Sequence, residues 1–303
     1  MRIYYGTGTR DRIPLRYDGF PSRGGREGPK EGRPMLRGPV RKESPARYDD
    51  LKLHLHLFDG DHEVSARFRI GPTKVMELLP LAREISEGIT AIVIEHERAE
   101  GRNVSCRAGC GACCMQLVPI APAEAVRLAE VVEAMPGRRR ETVKARFENA
   151  VRRLREIGLV DRGASPGQAA LRSPAPSRKT PWEDVSHRYF DARIPCPFLE
   201  EGSCGVYSER PMVCREYNVT TPASLCATLT SDVRDIPRLV RMSEVMKNFT
   251  NRLLGRNDFN IPLTLSFDWA PANRDAFDRE GDGEELATEL IRCIQEADDS
   301  AKG

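Results

Sequence analysis

Two clusters of cysteines constrain this sequence more than any other feature. Eight of the nine cysteines belong to them: Cys106, Cys110, Cys113 and Cys114 in the first, and Cys196, Cys204, Cys214 and Cys226 in the second. A packed hydrophobic core gives no reason to place four thiols in so short a stretch, whereas zinc and iron-sulfur sites are built from several cysteine thiolates. The sequence therefore predicts one or two metal sites, with these eight residues as the ligands.

The first cluster has the build of a metal-binding loop. Small residues separate its thiols, and Gly109 and Gly111 are able to adopt positive φ angles, so the backbone can curl around an ion. Such a loop also points amide N–H groups at sulfur, which stabilises thiolates. The side chains of the adjacent Cys113 and Cys114 leave the backbone in different directions. We therefore expect them to serve different metals or different atoms of one cluster.

The second cluster has wide spacings, which are typical of ligands that arrive from separate loops. Eight thiolates can fill two four-coordinate sites, or one iron-sulfur cluster and one zinc site. The ninth cysteine, Cys293, lies on an apolar helical stripe with Leu286, Leu290 and Ile294. It is therefore predicted to be a buried core thiol and not a ligand.

Composition and charge narrow the class of protein. The chain has 303 residues, 40% of them hydrophobic, and a formal net charge of +2. No apolar signal segment opens it and no run of eighteen apolar residues follows, so we expect a cytoplasmic protein with no membrane partner. In a reducing compartment, clustered thiols bind metal or do redox chemistry instead of forming disulfides.

Three regions are expected along the chain. Residues 1–48 are basic and rich in Gly, Pro and Arg without apolar periodicity, which predicts a disordered, solvated tail. Residues 49–71 alternate apolar and polar side chains around Asp59 and Gly60, the pattern of a β-hairpin. Residues 72–303 are predicted to form a helical cysteine-cluster domain with a flexible insertion at 161–181.

Helical periodicity dominates the third region. Apolar residues recur at helical spacing in five stretches, which begin near Pro80, Pro122, Val143, Leu239 and Leu286. The fold class is accordingly predicted to be mainly α, with an irregular metal site and one small N-terminal hairpin. Because the two cysteine clusters flank the insertion, they must meet in space to build a common site.

The cysteine pattern resembles that of the CxxCxxCC, or YkgJ-like, cysteine-cluster proteins, described as zinc- or iron-chelating domains. The resemblance extends over about residues 75–255. It rests on Cys106 to Cys114, on Gln116 to Ile120 with Pro122 and Glu124, on Ile194 to Leu199, and on Cys204, Tyr207, Arg210, Pro211, Cys214 to Tyr217 and Pro222 to Cys226. One departure is a first gap of three residues, where the family name implies two.

The resemblance implies metal chelation by these cysteines and says less about a reaction. Relatives are often labelled iron-sulfur oxidoreductases, and a longer one, flagellin lysine N-methylase, resembles a methyl-transfer enzyme that carries this cluster. An iron-sulfur cluster is slightly favoured over zinc, which would allow redox or cluster-assisted transfer chemistry. No residue can be named as catalytic, and no cofactor beyond the metal is implied.

Other interpretations fit the sequence less well. Cys106, Cys110 and Cys113 have the spacing of radical S-adenosylmethionine enzymes, but the strand-helix alternation of their barrel is missing. The segment from Asp278 to Glu289 approximates an EF-hand calcium loop, although acidic residues at a helix start explain it more simply. The alternative function is a non-catalytic, zinc-stabilised scaffold for a protein or nucleic-acid partner. Nucleic acid is not favoured, since the charges of the arginine-rich helix beyond Val143 suit a solvated face.

Overall fold

The computed structural model describes most of the chain beyond the N-terminal region. The described residues are 15–16, 46–58, 60–161, 171, 181–228, 230–256 and 260–300. The predicted disordered tail at 1–48 and the predicted flexible insertion at 161–181 lie almost wholly outside them. Inside the insertion, residue Leu171 forms one antiparallel bridge with Val160.

The predicted hairpin is present as two long antiparallel strands. Strand β2 (Arg47–Leu57) pairs with β3 (Gly60–Ile70), and the two-residue β1 (Leu15–Arg16) adds to the free edge of β2. Leu53 faces Val64 across the ladder, in the alternating pattern that the sequence predicts. One face of the sheet is buried, because every second side chain points toward the helices.

Helices form the rest of the fold, which confirms the mainly α prediction. None of the described helices is long and apolar enough to cross a membrane. The described part of the chain has eight α-helices: α1 (Leu79–Ala99), α2 (Pro122–Glu133), α3 (Gly137–Glu156), α4 (Pro181–Asp191), α5 (Met212–Glu216), α6 (Met242–Leu254), α7 (Ser266–Asn273) and α8 (Gly283–Ser300). The five predicted helical stretches correspond to α1, α2, α3, α6 and α8, whereas α4, α5 and α7 were not predicted.

The main hydrophobic core lies between the sheet and these helices. Helices α1 and α8 both pack on β3, α6 packs on α8, and α2 packs between α6 and α7. Cys293 is 2% exposed within this core, on α8. The prediction that it is a core thiol is confirmed.

Three short strand pairs fix the loops between the helices. Strands β4 (Pro72–Lys74) and β9 (Glu280–Asp282) pair, as do β5 (Pro119–Ile120) and β8 (Ile261–Pro262), and β6 (Leu199–Glu200) and β7 (Ser203–Cys204). The β5/β8 pair ties the chain to the core just after the first cysteine cluster. The β6/β7 pair turns the chain within the second.

The acidic segment before α8 is a helix start and not a calcium loop. Asp282 Oδ1 accepts hydrogen bonds from the backbone N–H groups of Glu284 (3.0 Å) and Glu285 (3.3 Å), as a helix cap does. Glu289, which would be the last calcium ligand, is buried and pairs with Arg252 at 2.7 Å and Arg292 at 2.8 Å. The simpler interpretation of this segment is confirmed.

Candidate metal centre

The eight clustered cysteines lie on short turns and loops and not inside the long helices. Those of the first cluster precede or occupy the 3-10 turn Ala112–Met115, between α1 and β5. In the second, Cys196 follows α4, Cys204 ends β7, Cys214 is in α5 and Cys226 is in the 3-10 turn Ala223–Ala227. All eight are free thiols; Cys226 is buried and the others are half-buried. Every donor is therefore available for a thiophilic metal.

The two clusters meet, as their sequence positions predicted. The Cys196 backbone N–H donates a hydrogen bond to the Cys114 carbonyl oxygen at 2.7 Å. The turn Ala112–Met115 packs against the turn Ala223–Ala227, and Gln116 Nε2 donates to the Cys226 carbonyl oxygen at 2.9 Å. Two segments separated by the connection at 161–181 are thus joined through the backbone of the cysteines themselves.

The first loop uses its two glycines for different purposes. Gly109 has a φ of 87°, the positive value that the sequence predicts. Gly111 has a φ of −115°, so it does not use the positive φ that glycine allows. Gly111 is required for close packing: a Cβ atom at this position would collide with the Gly202 carbonyl oxygen and lie 2.7 Å from Leu199 Cδ1.

Backbone N–H groups point at several of the sulfur atoms. Val219 N–H donates to Cys106 Sγ at 3.4 Å, so an amide of the second half of the site serves a thiol of the first. The amides of Phe198 and Val206 act on Cys196 and Cys204 and partly offset the rise in pKa that burial causes at these thiols. Amide donors of this kind stabilise thiolates and orient metal ligands.

Burial dominates the electrostatics of the thiols. It raises the pKa of Cys196 to about 12 and that of Cys226 to about 11, and it raises the pKa of Cys214 well above its ordinary value. At Cys113, a hydrogen bond with the Cys114 thiol is the largest cause of a raised pKa, and burial adds to it. These four thiols are favoured in the neutral form until a cation is present, and metal binding would release their protons.

Arg210 supplies a positive charge that acts on several of these thiols. Its guanidinium stacks over the Tyr207 ring at 4.2 Å, and its buried Nε atom has no hydrogen-bond partner among the described residues. Its charge lowers the pKa of Cys106 and Cys204 against the larger, opposite effect of burial. Arg210 is therefore placed to stabilise thiolates, and it forms no ion pair with another described residue.

Arg215, the second arginine that flanks Cys214, has a structural role. It is buried, pairs with Glu87 of α1, and donates to the backbone oxygens of Arg210 at 2.9 Å and Ser208 at 2.5 Å. Arg215 therefore closes the loop that precedes Cys214.

Two buried glutamates hold the short helix that carries Cys214, and the sequence did not single them out for this role. Glu124 accepts from Met212 N–H at 2.7 Å and from Ala121 N–H at 2.9 Å, so one carboxylate caps both α5 and α2. Glu216 accepts from the backbone and the hydroxyl of Ser243, at 2.8 and 3.0 Å. Burial raises the pKa of both, to about 8 for Glu216. A glutamate at the third position of a helix that starts with proline was the available signal for Glu124.

A third glutamate fixes the turn just before Arg210. Glu209 accepts hydrogen bonds from Arg127 at 2.8 Å and from Arg83 at 2.8 Å. These two guanidinium groups, Arg127 first, lower the pKa of Glu209 to about 2. This clamp links α1 and α2 to the segment between Cys204 and Cys214.

The basic face of α3 is also part of the scaffold. Arg139 donates to the Gly205 carbonyl oxygen at 2.5 Å, and Arg153 donates to that of Arg193 at 3.1 Å. Arg146 reaches the Pro197 oxygen at 3.4 Å. These arginines hold the backbone on either side of Cys196 and Cys204, so the face is not simply solvated as the sequence suggested.

The donor set fits a metal in its chemistry, while its side chains are still apart. Within the described ranges, no three His, Cys, Asp or Glu side chains already stand in position to hold one ion. The backbone segments that carry the thiols are already joined by hydrogen bonds. Metal binding would then complete the folding of this region.

Comparison with known proteins supports this assignment of the region. Residues 105–233 match the CxxCxxCC family model, described as a "putative zinc- or iron-chelating domain". The match confirms the resemblance that the cysteine pattern suggested, over a shorter stretch than 75–255. It contains all eight clustered cysteines and leaves out Cys293. Searches among curated proteins and among solved structures find no match to this chain.

Proposed function

We propose that residues 105–233 chelate zinc or iron through cysteine thiolates contributed by both clusters. The observation that carries the proposal is the hydrogen bond from Cys196 N–H to the Cys114 oxygen, which joins the two clusters in one site. The family match supports the same chemistry. Thiolate sulfur is a preferred ligand of zinc and of iron-sulfur clusters, and eight free thiols are available here.

The candidate ligands are Cys106, Cys110, Cys113, Cys114, Cys196, Cys204, Cys214 and Cys226. The groups around them bind and position: amide donors face sulfur, Arg210 adds positive charge, and Glu124 and Glu216 fix α5. A bound metal would stabilise the thiolate forms that burial disfavours. Iron in an iron-sulfur cluster would add electron transfer, while zinc would act through structure.

This arrangement favours chelation over the alternative of a nucleic-acid scaffold. The arginines of α3 that would offer a basic surface donate to carbonyl oxygens of the second cluster, at Gly205 and Arg193. These hydrogen bonds hold the backbone of the candidate metal site. A zinc-stabilised scaffold for a protein partner would use the same chelation chemistry. Identifying the bound metal is therefore the first test of either function.

The test is anaerobic purification of the full chain, followed by elemental analysis, sulfide determination and an absorption spectrum. We expect stoichiometric zinc or iron. Broad charge-transfer absorbance with iron and sulfide would identify a cluster, and a colourless protein with zinc would identify a zinc centre. A matched control is Cys293→Ser, which removes a thiol outside the site and should leave the metal content unchanged. A wild-type protein that takes up neither metal, as purified or on reconstitution, would contradict the proposal.

A further inference from the structure

The outer face of the N-terminal hairpin carries a group of nitrogen and oxygen donors. His54 and His56 lie two residues apart on β2, so their side chains leave the same face of the sheet. Leu55, between them, is buried, so this face is turned away from the core. In the register of the ladder, His54 is opposite Glu63 and His56 is opposite Asp61. Two imidazoles and two carboxylates therefore occupy neighbouring cross-strand pairs.

Both pairs are of the type in which side chains come closest. Hydrogen-bonded pairs alternate along an antiparallel ladder with pairs that are not hydrogen-bonded, and the latter are closer, about 4.5 Å between Cα atoms. Arg67 N–H of β3 donates to Glu84 of α1 at 2.7 Å, on the side away from β2, so the pair of Arg67 is of the closer type. Glu63 and Asp61 precede Arg67 by an even number of residues, so their pairs are of the same type.

The contacts on this face show that the side chains of the two strands reach one another. His56 Nδ1 lies 2.8 Å from Asp61 Oδ1. Glu63 Oε1 accepts from Lys52 Nζ at 2.9 Å, so this carboxylate also reaches across the ladder to a cation on β2. These side chains and that of His54 are exposed or half-buried, so an ion can approach them from solvent.

The four donors do not converge on one point. Among the residues that the structure describes, no three His, Cys, Asp or Glu side chains stand in position for one ion. Glu63 is held by Lys52, and His56 by Asp61. A divalent cation carries more charge than the Lys52 ammonium group and would compete with it for the carboxylate. Binding would therefore exchange the partners of exposed side chains and keep the register of the strands.

The donor set is different in kind from that of the cysteine centre. Imidazole nitrogen and carboxylate oxygen are ligands of zinc, and imidazole also suits copper and nickel. Zinc commonly takes four ligands in tetrahedral geometry, a number that two imidazoles and two carboxylates can fill. The hairpin lies outside residues 105–233, which match the family model. Metal binding on this face therefore does not depend on the cysteines.

We propose that the outer face of the hairpin is a second metal site, which binds one divalent transition-metal ion through His54, His56, Asp61 and Glu63. The ligands come in equal number from β2 and β3. The bound ion therefore links the two strands at the end of the hairpin that includes its turn. This site goes beyond chelation by the cysteine thiolates.

The test compares zinc binding by the full-length wild type with that by His54→Ala and His56→Ala. Equilibrium dialysis from nanomolar to submillimolar free zinc gives the number of ions per chain. We expect each variant to bind one ion fewer than the wild type, because one of its two nitrogen ligands is lost. The difference cancels every ion held by the cysteines, which all of these chains retain.

The matched control is His62→Gln on the same hairpin. His62 is opposite Leu55 in the register, on the other face of the sheet, so this variant should bind as much zinc as the wild type. Equal zinc content in the wild type, His54→Ala and His56→Ala would overturn the hairpin site and leave the proposed function intact. A wild type that binds a single ion, lost in His54→Ala and His56→Ala, would support the hairpin site and contradict zinc binding by the thiols.

A measurement on the wild type removes the dependence on variants. In protein labelled with nitrogen-15 at histidine, added zinc should shift the ring nitrogen resonances of His54 and His56 and leave those of His187 unchanged, since His187 lies on α4. Unchanged resonances of His54 and His56 over the whole titration would overturn the site.

Lys52→Met tests the exchange of partners at Glu63. Without the ammonium group, Glu63 loses its competing cation, so zinc should bind to the hairpin about twofold to fivefold more tightly, as expected for an exposed ion pair. Lys74→Met is the control, because the ion pair of Lys74 with Asp278 lies outside the hairpin and should have no influence. An affinity in Lys52→Met equal to or below that of the wild type would overturn the assignment of Glu63 as a ligand.

Discussion

Gly111 lies against the carbonyl group of Gly202 so closely that no side chain fits between them. The contact joins the first cysteine loop to the β6/β7 turn of the second cluster. Gly111→Ala should therefore push the two segments apart and lower the free energy of unfolding by about 1–3 kcal/mol, the usual effect of overpacking. Chemical denaturation measures the loss in the free energy of unfolding. The metal content measures the effect of moving the two cysteine segments apart.

The control for this substitution is Gly137→Ala, at the first residue of α3. A Cβ atom there meets no other atom within 4 Å, and its backbone does not have a positive φ. Its unfolding free energy should match the wild type or exceed it slightly. If Gly111→Ala behaved in the same way as Gly137→Ala, close packing at Gly111 would not be required.

Glu124→Gln tests the carboxylate that caps two helices. The amide keeps the shape, but one of the two N–H donors, at Met212 or Ala121, then faces an NH2 group in a buried site. We expect a loss of about 2 kcal/mol in the free energy of unfolding, since a buried donor without an acceptor is left behind. Metal affinity should fall as well, because α5 carries Cys214.

Glu141→Gln on α3 is the matched control. The Glu141 side chain is 72% exposed, and its pair with Arg140 is long, at 3.7 Å. Surface pairs of this kind contribute little. A Glu124→Gln protein as stable as the control, with unchanged metal affinity, would show that the double cap does not hold α5 in place.

The ion pairs of Glu209 predict that the free energy of unfolding falls in acid. Arg127 and Arg83 lower its pKa in the folded protein to about 2, below the value of about 4.3 for an unfolded chain. Its contribution is therefore present above about pH 4.3 and is lost as the pH falls toward 2. The side chain is 24% exposed, so solvent screening reduces this contribution to about 1–2 kcal/mol.

The measurement is the free energy of unfolding from pH 6 down to pH 2, in the wild type and in Glu209→Gln. The variant should be less stable near neutral pH, and the difference between the two curves should shrink in acid. Glu95→Gln, in an exposed pair with Arg98, provides the reference for a surface carboxylate. A constant difference between wild type and Glu209→Gln across this range would exclude the ionised clamp.

Arg210→Gln tests the positive charge beside the thiols. Removing it should weaken metal binding about tenfold, equivalent to about 1.4 kcal/mol, because the thiolates lose a stabilising charge. Competition with a chromophoric chelator measures the affinity. Arg210→Lys, which keeps the charge, should retain most of it, and an exposed control such as Arg98→Gln should have no effect. Equal affinities in Arg210→Gln and the wild type would assign Arg210 to packing on Tyr207 alone.

Local patterns made much of the fold predictable. The alternating Leu51 and Leu53 identified the hairpin, and the stripe with Leu286 identified α8 and placed Cys293 in the core. Helices α5 and α7 are short, with five and eight residues. A periodic apolar stripe is absent from such elements, so periodicity alone could not reveal them.

The candidate metal ligands could be predicted from the sequence, but the residues that hold them in place could not. Cysteine identity and spacing indicate a metal site without any knowledge of the fold. The role of Glu124 depends on a hydrogen bond to Met212, 88 residues away, and that of Gly111 on the backbone of Gly202. Contacts of this kind leave no local pattern, since either partner is an ordinary residue until the chain folds.

The arginines of α3 have a consequence for the connection at 161–181. Helix α3 precedes that connection, yet Arg139 and Arg153 hold carbonyl groups at Gly205 and Arg193, which follow it. The second cluster is thus fixed in place by a helix that precedes the connection in sequence. We therefore expect relatives to differ in length between the two clusters while keeping the cysteines of the centre.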